Sequence, residues 1–214
     1  MAFELFNLAG RRALVTRSSQ GIGLAIARGL AEHGASVVLN GRDRNKLDAA
    51  AGSVRACGHD VAVTSFDVTR AAAVRGGILR IEQAIGPIDI LVNNAGMQFR
   101  APLEEFPAEK WDELLTTNVS SAFYVGHLTR GMCADWAKYG LQANAIAPGY
   151  FKTPLNQALI DNPEFSAWLE KRTPASRWGN VDELIGAAVF LSGEASSFVN
   201  GHTLYVDGGI TTCL

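Results

Sequence analysis

Short apolar runs alternate with amphipathic segments along the first half of the chain. The runs are rich in valine, isoleucine and leucine and predict buried strands that end near Thr16 and cover Ser36–Asn40, Val61–Phe66 and Ile88–Val92. The segments between them carry apolar residues at helical spacing and predict helices from Gly21, over Asp43–Ala56 and over Thr69–Ile85. This alternation predicts an α/β fold, a Rossmann-like doubly wound parallel sheet.

The alternation breaks after the fourth strand. A helix from about Pro107 to Tyr124 is followed directly by a second helix, Leu128–Tyr139, before the next strand at Gln142–Ala147. One central strand is therefore missing from the sequence, which would leave two unpaired edges in a buried sheet. The rest of the chain predicts helices over Pro154–Ile160, Pro163–Lys171 and Val181–Leu191, the last capped by Asn180, and a final strand at Thr203–Val206.

The turn after the first strand has the composition of a phosphate-binding loop. Glycines there let the backbone approach a pyrophosphate, and the free N–H groups of the first helical turn face the anion. The candidate cofactor-binding residues in this turn are Thr16, Arg17, Ser18, Ser19, Gln20, Gly21, Ile22 and Gly23.

Arg17 is unusual because such turns normally open with glycine, which tolerates backbone angles that a side chain resists. Two interpretations stay open. Arg17 either adopts an allowed conformation and adds positive charge near the phosphates, or strains the turn and weakens cofactor binding.

The end of the second strand indicates which cofactor binds. About 20 residues past the glycines, where an acidic residue would bind the ribose 2′-OH of NAD, the chain has Gly41 followed by Arg42. Arg42 favours NADP, with NAD still possible. Alternatively, Arg42 only begins the solvated face of the helix Asp43–Ala56.

Polar and small residues follow the third and fourth strands at the sheet edge where ligands bind. Asp67 and Val68 follow the third strand and are candidate adenine contacts, although Asp67 could instead cap the next helix. The fourth strand runs into Asn93, and Asn94, Ala95 and Gly96 suit a cofactor lying against the backbone. The helix that follows Asp67 contains Gly76 and Gly77, each expected to cost roughly 1 kcal/mol relative to alanine.

Composition excludes several classes of protein. The 214 residues are 48% hydrophobic and 19% charged with net charge −2, which predicts one domain, 1–214, and neither nucleic acid nor a membrane as partner. No targeting or spanning segment is evident, so we expect a cytoplasmic protein. The 3 cysteines and 4 histidines are dispersed and predict no metal site.

Taken in order, the motifs resemble those of the short-chain dehydrogenase/reductase family. They are Thr16 with Gly21-Ile22-Gly23, Asp67-Val68, Asn93-Asn94-Ala95-Gly96, Asn118-Val119, Pro148-Gly149 and Val206-Asp207-Gly208-Gly209. The variable stretches Asn93–Glu105 and Phe151–Gly179 are most similar to the gluconate 5-dehydrogenases.

This resemblance implies roles for further residues. Asn118 matches the catalytic asparagine, Pro148, Gly149 and Thr153 match the loop over the nicotinamide, and residues 150–178 match a substrate lid. Arg100 is a candidate contact for a sugar-acid carboxylate, although a plain surface arginine is an equal alternative. The resemblance also implies a homo-oligomer.

The family's catalytic serine, tyrosine and lysine have no counterpart. No tyrosine is followed four positions later by lysine, and the place of that segment is closed up at Tyr124–Thr129. Two hypotheses follow. The chain is an NADP-dependent oxidoreductase interconverting gluconate and 5-keto-gluconate that lacks a segment, or it is a non-catalytic binding or interaction protein, or a decayed remnant.

Overall fold

The computed structural model describes residues 4–120 and 129–212, and these form an α/β arrangement. The strands are β1 (Arg12–Val15), β2 (Ser36–Gly41), β3 (Val61–Ser65), β4 (Ile90–Val92), β5 (Ala145–Pro148) and β6 (Thr203–Val206). The α-helices are α1 (Gly21–Glu32), α2 (Arg44–Arg55), α3 (Ala71–Ala84), α4 (Ala108–Leu115), α5 (Thr129–Trp136), α6 (Gln157–Ile160), α7 (Pro163–Arg172) and α8 (Ile185–Ser192).

The strands form two parallel sheets. The first has the order β3-β2-β1-β4, with Leu14 of β1 opposite Val38 on one side and Leu91 on the other. The second contains β5 and β6, with Ile146 opposite Leu204. Among the described residues, β4 pairs only with β1 and β5 only with β6, which is the division expected from a sequence that lacks one central strand.

One face of both sheets shares a single apolar core. Strands β1 and β2 carry fully buried residues against α1, α2 and α8, and Ile146 and Val206 of the second sheet pack on the same cluster. A glycine makes the helix contact possible, since a Cβ on Gly29 of α1 would lie 2.3 Å from Cγ2 of Ile185 in α8. The shared core therefore holds the second sheet beside the first without strand pairing between them.

The opposite face is covered only in part. Helix α3 packs Val74 and Ile81 against Leu14 and Val38, so the inner strands are buried on both faces, as a parallel sheet requires. By contrast, Leu91 of β4 is 40% exposed and Tyr205 of β6 is 60% exposed. Strand β4, which borders the division, and strand β6 of the second sheet therefore each expose a residue to solvent on this face.

Several predicted boundaries shift in the structure. The fourth strand begins at Ile90 and the fifth at Ala145, because Asp89 and Asn144 use their side chains to bond the backbone of Arg12 and of residues 199–202. The helix predicted to run from Pro107 ends at Leu115 and continues as a π-helical turn, Thr116–Ser120. Its predicted end at Tyr124 lies outside the described residues.

The predicted helix starts at Asp43 and Asn180 are confirmed. The carboxylate of Asp43 accepts a hydrogen bond from the Lys46 N–H at 3.1 Å. Asn180 forms a reciprocal capping box with Glu183, at the start of a 3₁₀ turn that leads into α8. Capping of both kinds satisfies N–H groups that a helix start leaves without intrahelical partners.

The two adjacent glycines of α3 have different surroundings. A Cβ on Gly77 would lie 2.3 Å from Cδ1 of Phe66, whereas a Cβ on Gly76 would meet only the flexible end of Arg80 at 3.4 Å. The sequence-based expectation of an equal cost is therefore wrong for Gly77, because its missing side chain lets α3 pack on Phe66.

We predict opposite effects of alanine at these two positions. Gly76→Ala should raise the free energy of unfolding by roughly 0.5–1 kcal/mol through helix propensity, while Gly77→Ala should lower it by about 1–3 kcal/mol through overpacking. Urea unfolding of both variants measures this, with each serving as the other's control. Equal shifts in the same direction would contradict the packing described here.

Candidate dinucleotide site

Thr16 joins the carboxyl ends of β1 and β4. Its side chain is fully buried, and Oγ1 accepts hydrogen bonds from the N–H groups of Asn94 at 2.9 Å and Ala95 at 3.0 Å. The Thr16 N–H in turn donates to the Val92 carbonyl at 3.0 Å. One hydroxyl thus fixes the backbone where the fourth strand opens into the loop after it.

The side chain of Asn94 completes this junction. Its Nδ2 donates to the carbonyls of Thr16 at 3.1 Å and Arg17 at 3.2 Å. The first turn of α1 is pressed against the same atoms, since a Cβ on Gly23 would lie 2.5 Å from the Arg17 oxygen and 2.5 Å from Asn94 Nδ2. Gly23 is therefore required by close packing between the turn, the helix and the β4 loop.

Ser18 ties the same turn to β2. It is fully buried, its hydroxyl donates to the Val15 carbonyl at 2.7 Å and accepts from the Asn40 N–H at 3.0 Å, and its own N–H donates to the Asn40 carbonyl at 3.0 Å. Asn40 is itself 1% exposed, and Nδ2 lies within 3.4 Å of the Thr64 carbonyl and 3.3 Å of the Phe66 carbonyl. The turn is thereby held to β2 and, through Asn40, to the end of β3.

Arg17 adopts the left-handed backbone conformation, with φ of 48°. A non-glycine residue in this region carries strain on the order of 1 kcal/mol or more, so the premise of the strain interpretation is confirmed. The side chain is half-buried, and burial followed by the charge of Arg42 lowers the pKa of its guanidinium. The turn therefore tolerates both an unfavourable backbone and a like-charge neighbour.

Asp67 and Arg42 meet at the same edge of the sheet. Oδ1 of Asp67 accepts from the Thr69 N–H at 2.9 Å and from its hydroxyl at 2.7 Å, which orders the turn into α3. Burial opposes ionisation of Asp67, but the hydrogen bonds from Thr69 and the charges of Arg42 and Arg70 outweigh it and lower its pKa. Helix α3 itself starts after Arg70, so Asp67 shapes the approach to the helix and does not cap it.

Asn118 holds the loop after β4. It lies in the π-helical turn, and its amide pairs with both backbone groups of Met97, accepting from the N–H at 2.7 Å and donating to the carbonyl at 2.9 Å. A Cβ on Gly96 would lie 3.3 Å from the Asn118 oxygen. In this structure Asn118 positions residues 96–97 of the loop.

The loop after β5 closes the other side of the site. Thr153 is buried, and a Cβ on Gly21 would lie 3.8 Å from its Cβ. The turn after β1, residues 16–23, therefore lies against this loop. A Cβ on Gly149 would lie 2.7 Å from the Asp207 Cα. Gln98 bridges to the same region by donating to the Leu155 carbonyl at 2.6 Å.

The sequence-predicted residues come together at the carboxyl edge of the strands. Those brought to this edge are Thr16, Arg17, Ser18, Ser19, Gln20, Gly21, Ile22, Gly23, Arg42, Asp67, Val68, Asn94, Ala95, Gly96, Asn118, Pro148, Gly149 and Thr153. Sequence reasoning missed Asn40 and Gln98. A carboxamide at the end of a buried strand was the available signal for Asn40, whereas Gln98 acts across 57 residues of sequence and had none.

These residues fit a dinucleotide. The first turn of α1 has no side-chain cap and no acidic residue, so its N–H groups are available to an anion. The turn before it carries Arg17, whose guanidinium experiences the charge of Arg42. The described residues contain no group of three or more histidine, cysteine, aspartate or glutamate residues that could hold a metal ion. Nor does any helix of the described ranges have the length and apolar character to cross a membrane.

The fold and this site are those of a nucleotide-binding oxidoreductase, and the chain belongs to the short-chain dehydrogenase family. A family model described as short chain dehydrogenase matches residues 11–127, and one described as enoyl-(acyl carrier protein) reductase matches residues 124–211. The two matches meet at residues 124–127.

Individual relatives share most of this chain. A gluconate 5-dehydrogenase from Gluconobacter oxydans is 48% identical over 99% of this chain and 98% of its own length. A 5-keto-D-gluconate 5-reductase from Escherichia coli K12 is 40% identical over 97% and 98%. The crystal structure of a gluconate 5-dehydrogenase from Burkholderia cenocepacia in complex with NADP and tartrate is 46% identical, with a TM-score of 0.95 and 100% of both chains covered.

The alignment with the Gluconobacter protein is longer than this chain. It extends over 252 positions, whereas the chain has 214 residues, so at least 38 positions of that relative have no counterpart here. The likeness covers 99% of this chain, so these unmatched positions lie inside the aligned region.

We predict that Thr16→Val weakens the junction between β1 and β4. Valine keeps the shape but leaves two part-buried N–H groups without their acceptor, so the free energy of unfolding should fall by about 1–3 kcal/mol. Thr16→Ser keeps the hydroxyl and should cost about 1 kcal/mol for the lost methyl group. Denaturant unfolding of both variants tests this, and a valine variant as stable as the serine variant would contradict it.

Proposed function

We propose that this chain is an NADP(H)-dependent oxidoreductase for a sugar acid, interconverting gluconate and 5-keto-gluconate. The observation that carries the proposal is the carboxyl edge of β1, β2 and β4, where an uncapped helix start, Arg17 and Arg42 lie beside the Thr16–Asn94 junction. The names of the Gluconobacter and Escherichia relatives supply the substrate class.

The residues at this edge have separate tasks in binding. The α1 N–H groups would hold the pyrophosphate, and Arg17 would add positive charge at the same edge. Arg42 would favour a 2′-phosphate on the adenosine ribose, and Asp67 and Val68 would flank the adenine. Asn94, Ala95 and Gly96 would offer a backbone surface to the ribose on the nicotinamide side. Pro148, Gly149 and Thr153 would cover the nicotinamide, and the cofactor would supply the hydride that the reaction transfers.

Arg100 is the proposed contact for the substrate carboxylate. It is exposed, and Nη2 lies 3.4 Å from the Gln98 oxygen, while Gln98 also bonds to Leu155 in the lid region. Arg100 thus lies beside a residue of the β4 loop that bonds to the proposed lid, residues 150–178. A guanidinium in that position can form a bidentate pair with a carboxylate.

Proton transfer is the step for which this chain lacks a residue. Asn118 has no acidic proton, and no tyrosine of the sequence precedes a lysine by four positions. General acid–base catalysis is worth about 10²- to 10⁴-fold, so its absence would leave binding intact and turnover slow. We place the missing residues in the internal gap at 124–129.

A non-catalytic binding or interaction protein is the alternative function, and nothing in the comparisons supports it.

Homo-oligomer formation stays a prediction from family resemblance. The outer face of α4 is consistent with it, since Trp111 and Leu115, one helical turn apart, are 56% and 42% exposed.

The deciding experiment compares two chains. One is the 214-residue chain, and the other carries the Gluconobacter relative's unmatched segment inserted between Val125 and Leu128. We expect both to bind NADPH, and only the second to oxidise it with 5-keto-gluconate at a rate typical of a dehydrogenase, because the inserted segment supplies the proton donor.

The matched control is the same insertion with phenylalanine in place of its tyrosine, which should bind NADPH and turn over as slowly as the 214-residue chain. Ordinary turnover by the unmodified chain would show that another group transfers the proton. Failure of both chains to bind NADPH would refute the proposed cofactor.

A further inference from the structure

Arg17 stands where such turns normally have glycine. We relate this arginine to the cofactor that the site selects, so the inference rests on the proposed function. The turn that contains Arg17 is bonded to the end of β2 by three hydrogen bonds between Ser18 and Asn40, including N–H to carbonyl at 3.0 Å. Arg42 follows Asn40 by two residues. Its carbonyl is held by the Ser65 hydroxyl at 3.2 Å, so the backbones of both arginines are fixed at one edge.

Among the described residues, neither guanidinium is hydrogen-bonded to a carboxylate, although the charge of Arg42 reaches Asp67 and lowers the pKa of that carboxyl. Within residues 4–120 and 129–212, no hydrogen bond or ion pair joins the side chain of Arg17 or Arg42 to another side chain. The next arginine along the chain differs, since Nε of Arg44 binds Oδ2 of Asp48 at 2.9 Å on the outer side of α2. Within the described ranges, Arg17 therefore experiences the positive charge of Arg42 without an ion pair of its own to offset it.

The position of Arg17 is also conformationally unfavourable for arginine. Its φ of 48° is the region where glycine is preferred, and the surrounding bonds from Asn94 and Ser18 hold the backbone there. A residue that strains the turn and adds repulsion contributes to function if a ligand uses its charge.

We propose that Arg17 is a cofactor-specificity residue that binds the 2′-phosphate of NADP together with Arg42. Two guanidinium groups match a dianionic phosphate, which has oxygen atoms enough for a hydrogen-bonded pair with each. NAD presents a neutral hydroxyl group at this position, so it gains nothing from the second arginine and meets the repulsion unrelieved.

The test uses ligands that need no catalytic residue. Isothermal titration of the full chain is carried out with NADPH, NADH, 2′,5′-ADP and 5′-AMP. Arg17→Gly should weaken NADPH and 2′,5′-ADP by about tenfold or more, the size expected for one lost charge-assisted bond, and change NADH and 5′-AMP by less than about threefold. The same variant without ligand should melt at a higher temperature, because glycine removes the backbone strain.

Two further variants separate charge from structure. Arg17→Lys retains the positive charge and should recover part of the lost affinity for 2′,5′-ADP. Arg44→Ala removes a charge from the neighbouring helix and should leave all four affinities within about twofold, since long-range fields are weak across a Debye length of about 10 Å.

Each result decides the matter. If Arg17→Gly binds NADPH as tightly as the parent chain or more tightly, Arg17 is not a phosphate ligand and only Arg42 selects the cofactor. An equal loss for NADPH and NADH would make its role structural. A parent chain that binds none of the four ligands would overturn this inference together with the proposed cofactor.

Discussion

The hydrogen bonds of Thr16 hold the candidate site together, because they join the carboxyl ends of β1 and β4. A buried hydroxyl that accepts from Asn94 and Ala95 fixes where β4 ends, and Asn94 then fixes the turn and the start of α1. Ser18 repeats this arrangement toward β2. The bonds of Thr16 and Asn94 are part-buried and that between Ser18 and Asn40 is buried, so an unmet partner would cost more than a typical surface contact contributes.

The divided sheet and the intact cofactor edge are compatible because they depend on different contacts. The edge is built by β1, β2, β3 and β4, whose pairing is continuous, and the second sheet is held by the core that α1 and α8 share. Among the described residues, β4 and β5 each lack a strand partner on one side, and one face of β4 is open to solvent. The structure therefore separates the edge proposed to bind a dinucleotide from the place where the sheet is divided.

The features of the fold that depend on a local sequence pattern could be predicted from the sequence. The strands, α1 to α3 and the caps at Asp43 and Asn180 follow from apolar spacing and N–H satisfaction. Helix propensity gave the wrong cost for Gly77, because the effect of this glycine comes from its contact with Phe66, which lies 11 positions earlier in the chain. Asn118 was matched by resemblance, but its pairing with Met97 depends on a loop conformation that the sequence does not specify.

Hydrogen–deuterium exchange on the 214-residue chain, with and without NADPH, tests most directly whether the cofactor half of the site is formed despite the divided sheet. We expect NADPH to slow exchange at the amides of residues 16–23 and 94–97, with little change at the amides of β6. NADH at the same concentration should protect the same residues less. Protection that is absent from residues 16–23, or spread evenly over the chain, would contradict the site described here.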